Sequence, residues 1–125
     1  MKTGTIIALA AAAVLGAGPS FAHHAWPVDR SKEVTVKGTV TGFNWINPHV
    51  MIDLEVKNET GKVEKWSVGG PSVERMARNG WDKNTLKSGD VIAGYGYRYT
   101  DGQNVAQLQR IVMANGKEML LYGSR

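Results

Sequence analysis

The side chains in this sequence with the clearest capacity for chemistry are its three histidines. His23 and His24 are adjacent near the N-terminus, and His49 directly follows an Asn-Pro pair. Neutral imidazole is the commonest metal ligand in proteins. The chain has no cysteine, which excludes disulfides, thiolate catalysis and sulfur-ligated zinc. The three histidines therefore form one candidate metal site.

Copper is the metal that this set of donors suits best. If a leader is cleaved after Ala22, His23 offers both its α-amino group and a ring nitrogen. Such an amine has an unperturbed pKa of about 7.7–8.0, so a metal can displace its proton near neutral pH. His49 adds a third nitrogen, and His24 or Met51 completes or flanks the set. Nitrogen coordination without thiolate favours Cu(II), with Zn(II) or Ni(II) as lesser candidates.

This site requires residues 23–33 to fold back onto the place where His49 lies. The alternative interpretation is structural. His23 and His24 would then belong to a frayed terminus, and His49 would be a turn residue hydrogen-bonded to the backbone.

Residues 1–22 have the features of a secretory signal. Lys2 supplies a short positive region, residues 6–15 are apolar, and Ser20-Phe21-Ala22 places small residues at a cleavage site. The apolar run is shorter than the roughly 20 residues needed to span a bilayer. The sequence thus predicts a signal at 1–22, a lead-in at 23–33 and one domain at 34–125, in the periplasm or secreted. No membrane span is expected after signal removal.

The composition argues against two classes of function. The formal net charge is +4 and no run of lysines or arginines occurs, so no nucleic-acid partner is expected. The sequence has no nucleophile elbow, no glycine-rich phosphate loop and no His-Glu-x-x-His motif, so we expect a binding protein and not an enzyme.

The segments around His49 have the period-two pattern of half-buried strands. The pattern begins at Val34 and its parity changes after Gly42, which predicts either a bulge or a barrel corner there. In the next strand, residues 50, 52, 54 and 56 are apolar and face the core. By that parity His49 lies on the same side as Met51, away from the core.

The remaining elements predict the fold class. They are a strand at 62–68, a helix at 72–78 and strands at 91–99, 105–113 and 117–122. Three strands, a short helix and further strands are the order of an OB-like barrel of five to six strands, all-β with its helix between strands 3 and 4. A small β-sandwich with one helix is the competing architecture.

Several motifs occur together in a fixed order along the chain. They are His23-His24, Phe43-x-Trp45-x-Asn47-Pro48-His49, Trp66-x-Val68-x-Gly70, Arg78-x-Gly80-Trp81 and Leu86-Lys87-x-Gly89-Asp90. In these the chain resembles a family of small exported bacterial proteins of uncharacterised function that carry an Asn-Pro-His motif. The resemblance covers nearly all of the chain after the leader. It implies an exported single-domain β protein and brings no enzymatic role.

A second hypothesis is a binding module without metal. Trp45, Trp66 and the tyrosines of the fourth strand could stack on a sugar, a peptide or another flat ligand, with Asn47 and Met51 beside them. Tyr97 and Tyr99 are the strand residues that we expect to contact such a ligand. They share one strand face with Val91, and we expect that face to begin in the core and to end exposed at Tyr99. The sequence does not indicate which protein partner would bind.

Overall fold

A computed structural model of the protein describes residues 25–123. The predicted leader, His23 and His24 lie outside the described residues. Within that range the chain forms β1 (Val34–Asn44), β2 (Met51–Lys57), β3 (Val63–Gly69), α1 (Val73–Arg78), β4 (Val91–Arg98), β5 (Val105–Met113) and β6 (Glu118–Leu120). The predicted class, all-β with one short helix, is confirmed.

The strands form a closed barrel of five strands with a sixth strand added outside. The order in the sheet is β3-β2-β1-β4-β5-β6, and β3 also pairs with β5. That last pairing is parallel and joins Ser67–Gly69 to Val105–Gln107, whereas the other strand pairs are antiparallel. β1 is long enough to pair with β4 through its first half and with β2 through its second half.

The sequence pattern of the first two strands holds in the structure. The register between β1 and β2 shifts between Val40 and Gly42, as the change of parity predicted. Val50, Ile52 and Leu54 are buried, while Met51 and Asp53 are half-buried on the opposite side of β2. The inward apolar residues of all elements meet in one core: Val36, Val40, Val50, Ile52, Leu54, Val68, Met76, Trp81, Leu86, Ile92, Ala106, Leu108, Ile111, Met119 and Leu121.

The predicted orientation of the fourth strand is wrong. Val91 is 43% exposed and Ile92 only 1%, so the side of β4 that carries the tyrosines faces outward from its first residue. The inward side carries Gly94 and Gly96 because β5 crosses them closely. A Cβ on Gly94 would lie 2.7 Å from a Leu108 methyl group, and one on Gly96 would collide with the Gln107 carbonyl oxygen.

Candidate functional site

His49 is presented by the bend that joins β1 to β2. The Asn47–Pro48 peptide bond in this bend is cis. Pro48 has no backbone N–H to offer a strand ladder, and β2 begins only at Met51. The next residue along, Val50, is completely buried, which directs His49 to the outer side of the barrel wall. The predicted placement of His49 on the side of Met51 agrees with the structure, where both are half-buried and line one cavity.

Aromatic packing holds the His49 ring. The Trp26 ring meets it edge-on, with 5.1 Å between centroids and 63° between planes. Trp26 in turn packs against Tyr99, with centroids 6.0 Å apart. His49 Nδ1 is buried and makes no hydrogen bond within residues 25–123. Among the described residues, the backbone hydrogen bond that a structural turn histidine would make through this nitrogen is therefore not formed.

Main-chain bonds to the end of β4 bring Trp26 to this position. Val28 forms an isolated antiparallel bridge with Tyr99. The Asp29 N–H donates to the Arg98 carbonyl oxygen at 3.0 Å, and the Thr100 N–H donates to the Pro27 carbonyl oxygen at 2.9 Å. The lead-in thus folds back toward His49 over the residues that the structure describes, as the metal hypothesis requires.

The cavity beside His49 has a volume of about 410 Å³. Its lining consists of Ala25, Trp26, Pro27, His49, Met51 and Tyr99. Met51 pairs with Gly69 across β2 and β3, and a Cβ at Gly69 would collide with the Met51 sulfur. Gly69 is therefore required for the thioether to lie where it does. An imidazole, a thioether and two aromatic rings share one small space, which we call the His49 cavity.

A buried polar network bonds the lead-in that carries Trp26. Gln107 is 5% exposed; its amide donates to the Tyr122 hydroxyl at 2.6 Å and accepts from Arg30 Nη2 at 2.7 Å. The Trp26 side chain lies near the Tyr122 hydroxyl. Burial raises the pKa of Tyr122, and the Gln107 amide and the positive charges of Arg75 and Arg30 oppose the shift only in part. The sequence pattern did not predict this network, although a glutamine inside the apolar run of β5 is a signal of a buried polar partner.

Asn47 serves the helix rather than the His49 cavity. Its Oδ1 accepts from the Val73 N–H at 2.9 Å, and its Nδ2 donates to Glu74 Oε1 at 3.1 Å. The pKa of Glu74 is lowered by its own backbone N–H and by the Asn47 amide. Asn47 thus ties the bend that carries His49 to the start of α1.

The other predicted ligand-binding aromatics do not meet at the His49 cavity, except for Tyr99. Trp45 packs against Phe43 at 5.8 Å between centroids, at the edge of the core. Tyr97 carries the Arg30 guanidinium over its ring at 5.4 Å. Three more rings are covered in the same way and, with Tyr97, form what we call the arginine-covered rings: Trp66 by Arg98 at 4.9 Å, Tyr95 by Arg110 at 3.9 Å and Tyr122 by Arg75 at 5.1 Å.

The described residues do not by themselves supply a complete ligand set of the usual kind. Within residues 25–123, no three side chains of His, Cys, Asp or Glu lie close enough together to hold a metal ion. The other two predicted ligands, His23 and His24, immediately precede Ala25 at the cavity wall. Across the same range the structure has no helix that could cross a membrane, its one helix being six residues long.

Comparison with known proteins identifies the family and the fold. A model described as a family of unknown function (DUF6152) matches residues 10–108. None of the curated proteins matches the chain in sequence. The chain is similar to the crystal structure of a ZRD-deleted mutant of TiaS in complex with agmatine, at 19% identity and a TM-score of 0.51, over 78% of this chain and 24% of that chain. It is also similar to TiaS in complex with tRNA and ATP, at 18% identity and a TM-score of 0.49, over 72% and 20%.

At these identities the likeness to TiaS concerns the fold alone. The chain spans a quarter or less of the length of the TiaS chains that it matches. The function must therefore be inferred from the chemistry of the chain's own residues.

Proposed function

The chain belongs to a family of unknown function, DUF6152, and from its own residues we propose that it is an exported copper-binding protein. His23 and His49 are the principal ligands, and His24 is an auxiliary one. His23 contributes its α-amino group and its ring once the leader has been removed.

The observation that carries this proposal is the state of His49 beside the lead-in. Its ring is held by Trp26, and its Nδ1 is buried without a hydrogen-bond partner among the described residues. Buried polar atoms are almost always paired, so each exception calls for an explanation. A metal site supplies one, because a histidine ligand must keep a nitrogen free of competing protein donors.

The covalent path of the lead-in supports the other two ligands. Ala25 lines the His49 cavity, and consecutive Cα atoms are about 3.8 Å apart. His24 is therefore one residue, and His23 two residues, from the cavity wall. Three imidazole nitrogens and one α-amino nitrogen form a donor set without thiolate, and that set favours Cu(II).

The remaining parts of the proposal are the setting and the mode of action. The order of three strands, a helix and two further barrel strands supports an OB-type architecture. The features of residues 1–22 support export to the periplasm or beyond. A site made of a histidine, a thioether and packed aromatic rings has no paired acid and base for catalysis, which supports binding as the role.

The aromatic binding module is the second candidate, and the geometry supports it less well. Arg30 covers the Tyr97 ring, and Trp45 packs at the edge of the core. Tyr99 borders the cavity that contains His49, whereas Trp66 and Tyr95, which border two other cavities, are covered by arginines.

The test is a Cu(II) titration of protein matured in the periplasm, with the cleavage point confirmed by intact mass. We expect one-to-one binding, and His49→Ala should weaken it by about a hundredfold or more, since even residues that merely orient a ligand are worth roughly 10–100-fold. A form with one extra glycine ahead of His23 should weaken it as well. The control is Tyr97→Ala, which changes the competing aromatic surface and should leave the affinity unaltered.

Two results would contradict the proposal. One is an unchanged Cu(II) affinity in a folded His49→Ala protein, with folding checked by circular dichroism. The other is a mass that places the mature N-terminus away from His23 while copper still binds tightly, which would remove the α-amine from the site.

A further inference from the structure

The geometry points to a second capacity of the same site: the His49 cavity binds Cu(I), and its redox-inert analogue Ag(I), through the Met51 thioether together with the His49 imidazole. This inference rests on the proposed copper site. It assigns the binding of Cu(II) and the binding of Cu(I) to different residues. Nitrogen donors of the lead-in serve Cu(II), while Met51 serves Cu(I).

Met51 differs from the other methionines that the structure describes. Met76 and Met119 are buried in the core at 0% and 8% exposure, and Met113 packs against the core from β5. Met51 instead lies on the outer side of β2 and lines the cavity with His49. A methionine that fills the core has a packing role, whereas Met51 is half-buried beside a cavity that a ligand can enter.

The chemistry of the donors favours a soft ion. Thioether sulfur selects Cu(I) among the biological metals, and imidazole accepts it as well. Gly69 provides the space in which the Met51 sulfur lies, because any Cβ at that position would collide with it. The Met51 side chain thus lies against the Gly69 backbone, and the residue lines the His49 cavity.

The surroundings of the cavity favour a single positive charge over two. Ala25, Trp26, Pro27 and Tyr99 line it, so an ion that enters it leaves water for a largely apolar wall. The cost of desolvating an ion rises with the square of its charge, which penalises Cu(II) more than Cu(I). Aromatic faces attract a cation that lies against them.

The arginine-covered rings are examples, within the same protein, of aromatic faces that attract a cation. Tyr95, Tyr97, Trp66 and Tyr122 each have a guanidinium within 5.4 Å of the ring centroid. Trp26 and Tyr99 are also partly exposed, yet within residues 25–123 no arginine or lysine lies over either ring. A bound monovalent metal ion would lie against Trp26 and Tyr99 as the arginines lie against the other rings.

The test measures Cu(I) and Ag(I) affinity without oxygen, by competition with a chromogenic Cu(I) chelator, and Cu(II) affinity in parallel. Met51→Leu keeps the size and the apolar character of the side chain and removes the sulfur. We expect the Cu(I) and Ag(I) affinities to fall by about tenfold or more while the Cu(II) affinity changes by less than about threefold. Met113→Leu is the matched control and should change none of the three.

The outcomes separate this inference from the proposal on which it rests. An unchanged Cu(I) affinity in Met51→Leu overturns the role of the thioether, and so does an equal loss for Cu(I) and Cu(II). If His49→Ala alters neither ion, the copper site itself is wrong. X-ray absorption of the unmodified protein loaded with Cu(I) gives a readout that does not depend on any variant: a sulfur neighbour of the copper is expected, and a purely nitrogen and oxygen shell overturns the inference.

Discussion

Two groups of aromatic rings on the outside of this barrel differ in what lies against them. The arginine-covered rings each have a cation of the protein's own, and the shortest of these contacts, Arg110 over Tyr95, measures 3.9 Å. Trp26 instead packs against both Tyr99 and His49, beside a cavity of about 410 Å³. The first group already has its cations, whereas the second lies beside an imidazole nitrogen that has no hydrogen-bond partner within residues 25–123, and it is the second group that we propose serves a ligand.

The largest effect on stability is expected at Gln107, which connects the two groups of rings. Gln107 bonds both Tyr122 and Arg30, which covers Tyr97 and belongs to the same lead-in as Trp26. Gln107→Leu leaves these polar groups without their buried partner, and we expect the free energy of unfolding to fall by about 1–3 kcal/mol. Urea denaturation at neutral pH measures it.

Gln109→Leu is the matched control for that variant. Gln109 lies on the same strand, is half-buried, and makes no side-chain hydrogen bond within residues 25–123. We expect its effect on unfolding to be small. Equal losses in the two variants would show that the network contributes nothing beyond the packing of the glutamine side chains.

A smaller effect, on Cu(I) affinity, is expected when a substitution introduces a positively charged side chain at the His49 cavity. Pro27 is exposed at the cavity wall, and its bond to Thr100 uses its carbonyl oxygen, which any residue provides. Pro27→Arg places a positive charge near the metal and should weaken Cu(I) binding by about tenfold at low salt through charge repulsion. Pro27→Gln, with a polar side chain and no charge, should weaken it much less; identical affinities in the two variants would contradict a cationic ligand in this cavity.

The smallest effect concerns the pH dependence of stability through Tyr122. Burial raises the pKa of its hydroxyl above the ordinary value of 10.0, so the folded protein holds that proton more tightly than the unfolded chain does. The corresponding stability is fully present below about pH 10 and is lost as the pH rises through the folded-state pKa. In urea denaturation at pH 8 to 11, Tyr122→Phe should lose less stability than the unmodified protein over the same interval. Parallel curves would show that Tyr122 ionises in both states alike.

The sequence was most informative where a strand has one buried and one solvated side. Alternation in β2 placed His49 and Met51 on the same side, and the change of parity at Gly42 marked the bulge. These are local consequences of the period of a strand, so no distant part of the chain was needed to predict them.

The sequence was least informative where a distant segment decides the environment. On β4 the aromatic side was expected to enter the core, but β5 crosses so close that only Gly94 and Gly96 fit there. Trp26 approaches His49 because of main-chain bonds to the end of β4, and the Gln107 network depends on residues far apart in the chain. Single-sequence patterns contain no information on such long-range contacts.

The short parallel ladder between β3 and β5 has a consequence for local opening and hydrogen exchange. It joins just three residue pairs, from Ser67–Val105 to Gly69–Gln107, and closes the barrel between segments that are remote in sequence. Among the five strand pairings of the barrel it has the fewest residue pairs, so local opening there breaks the fewest ladder bonds. Gly69 contacts Met51 on one side of this ladder, and Gln107 on the other bonds Arg30 of the lead-in that carries Trp26. A ligand that contacts both Met51 and Trp26 would therefore hold the pairing of β3 with β5 closed. It would slow the hydrogen exchange of the amide protons in this ladder.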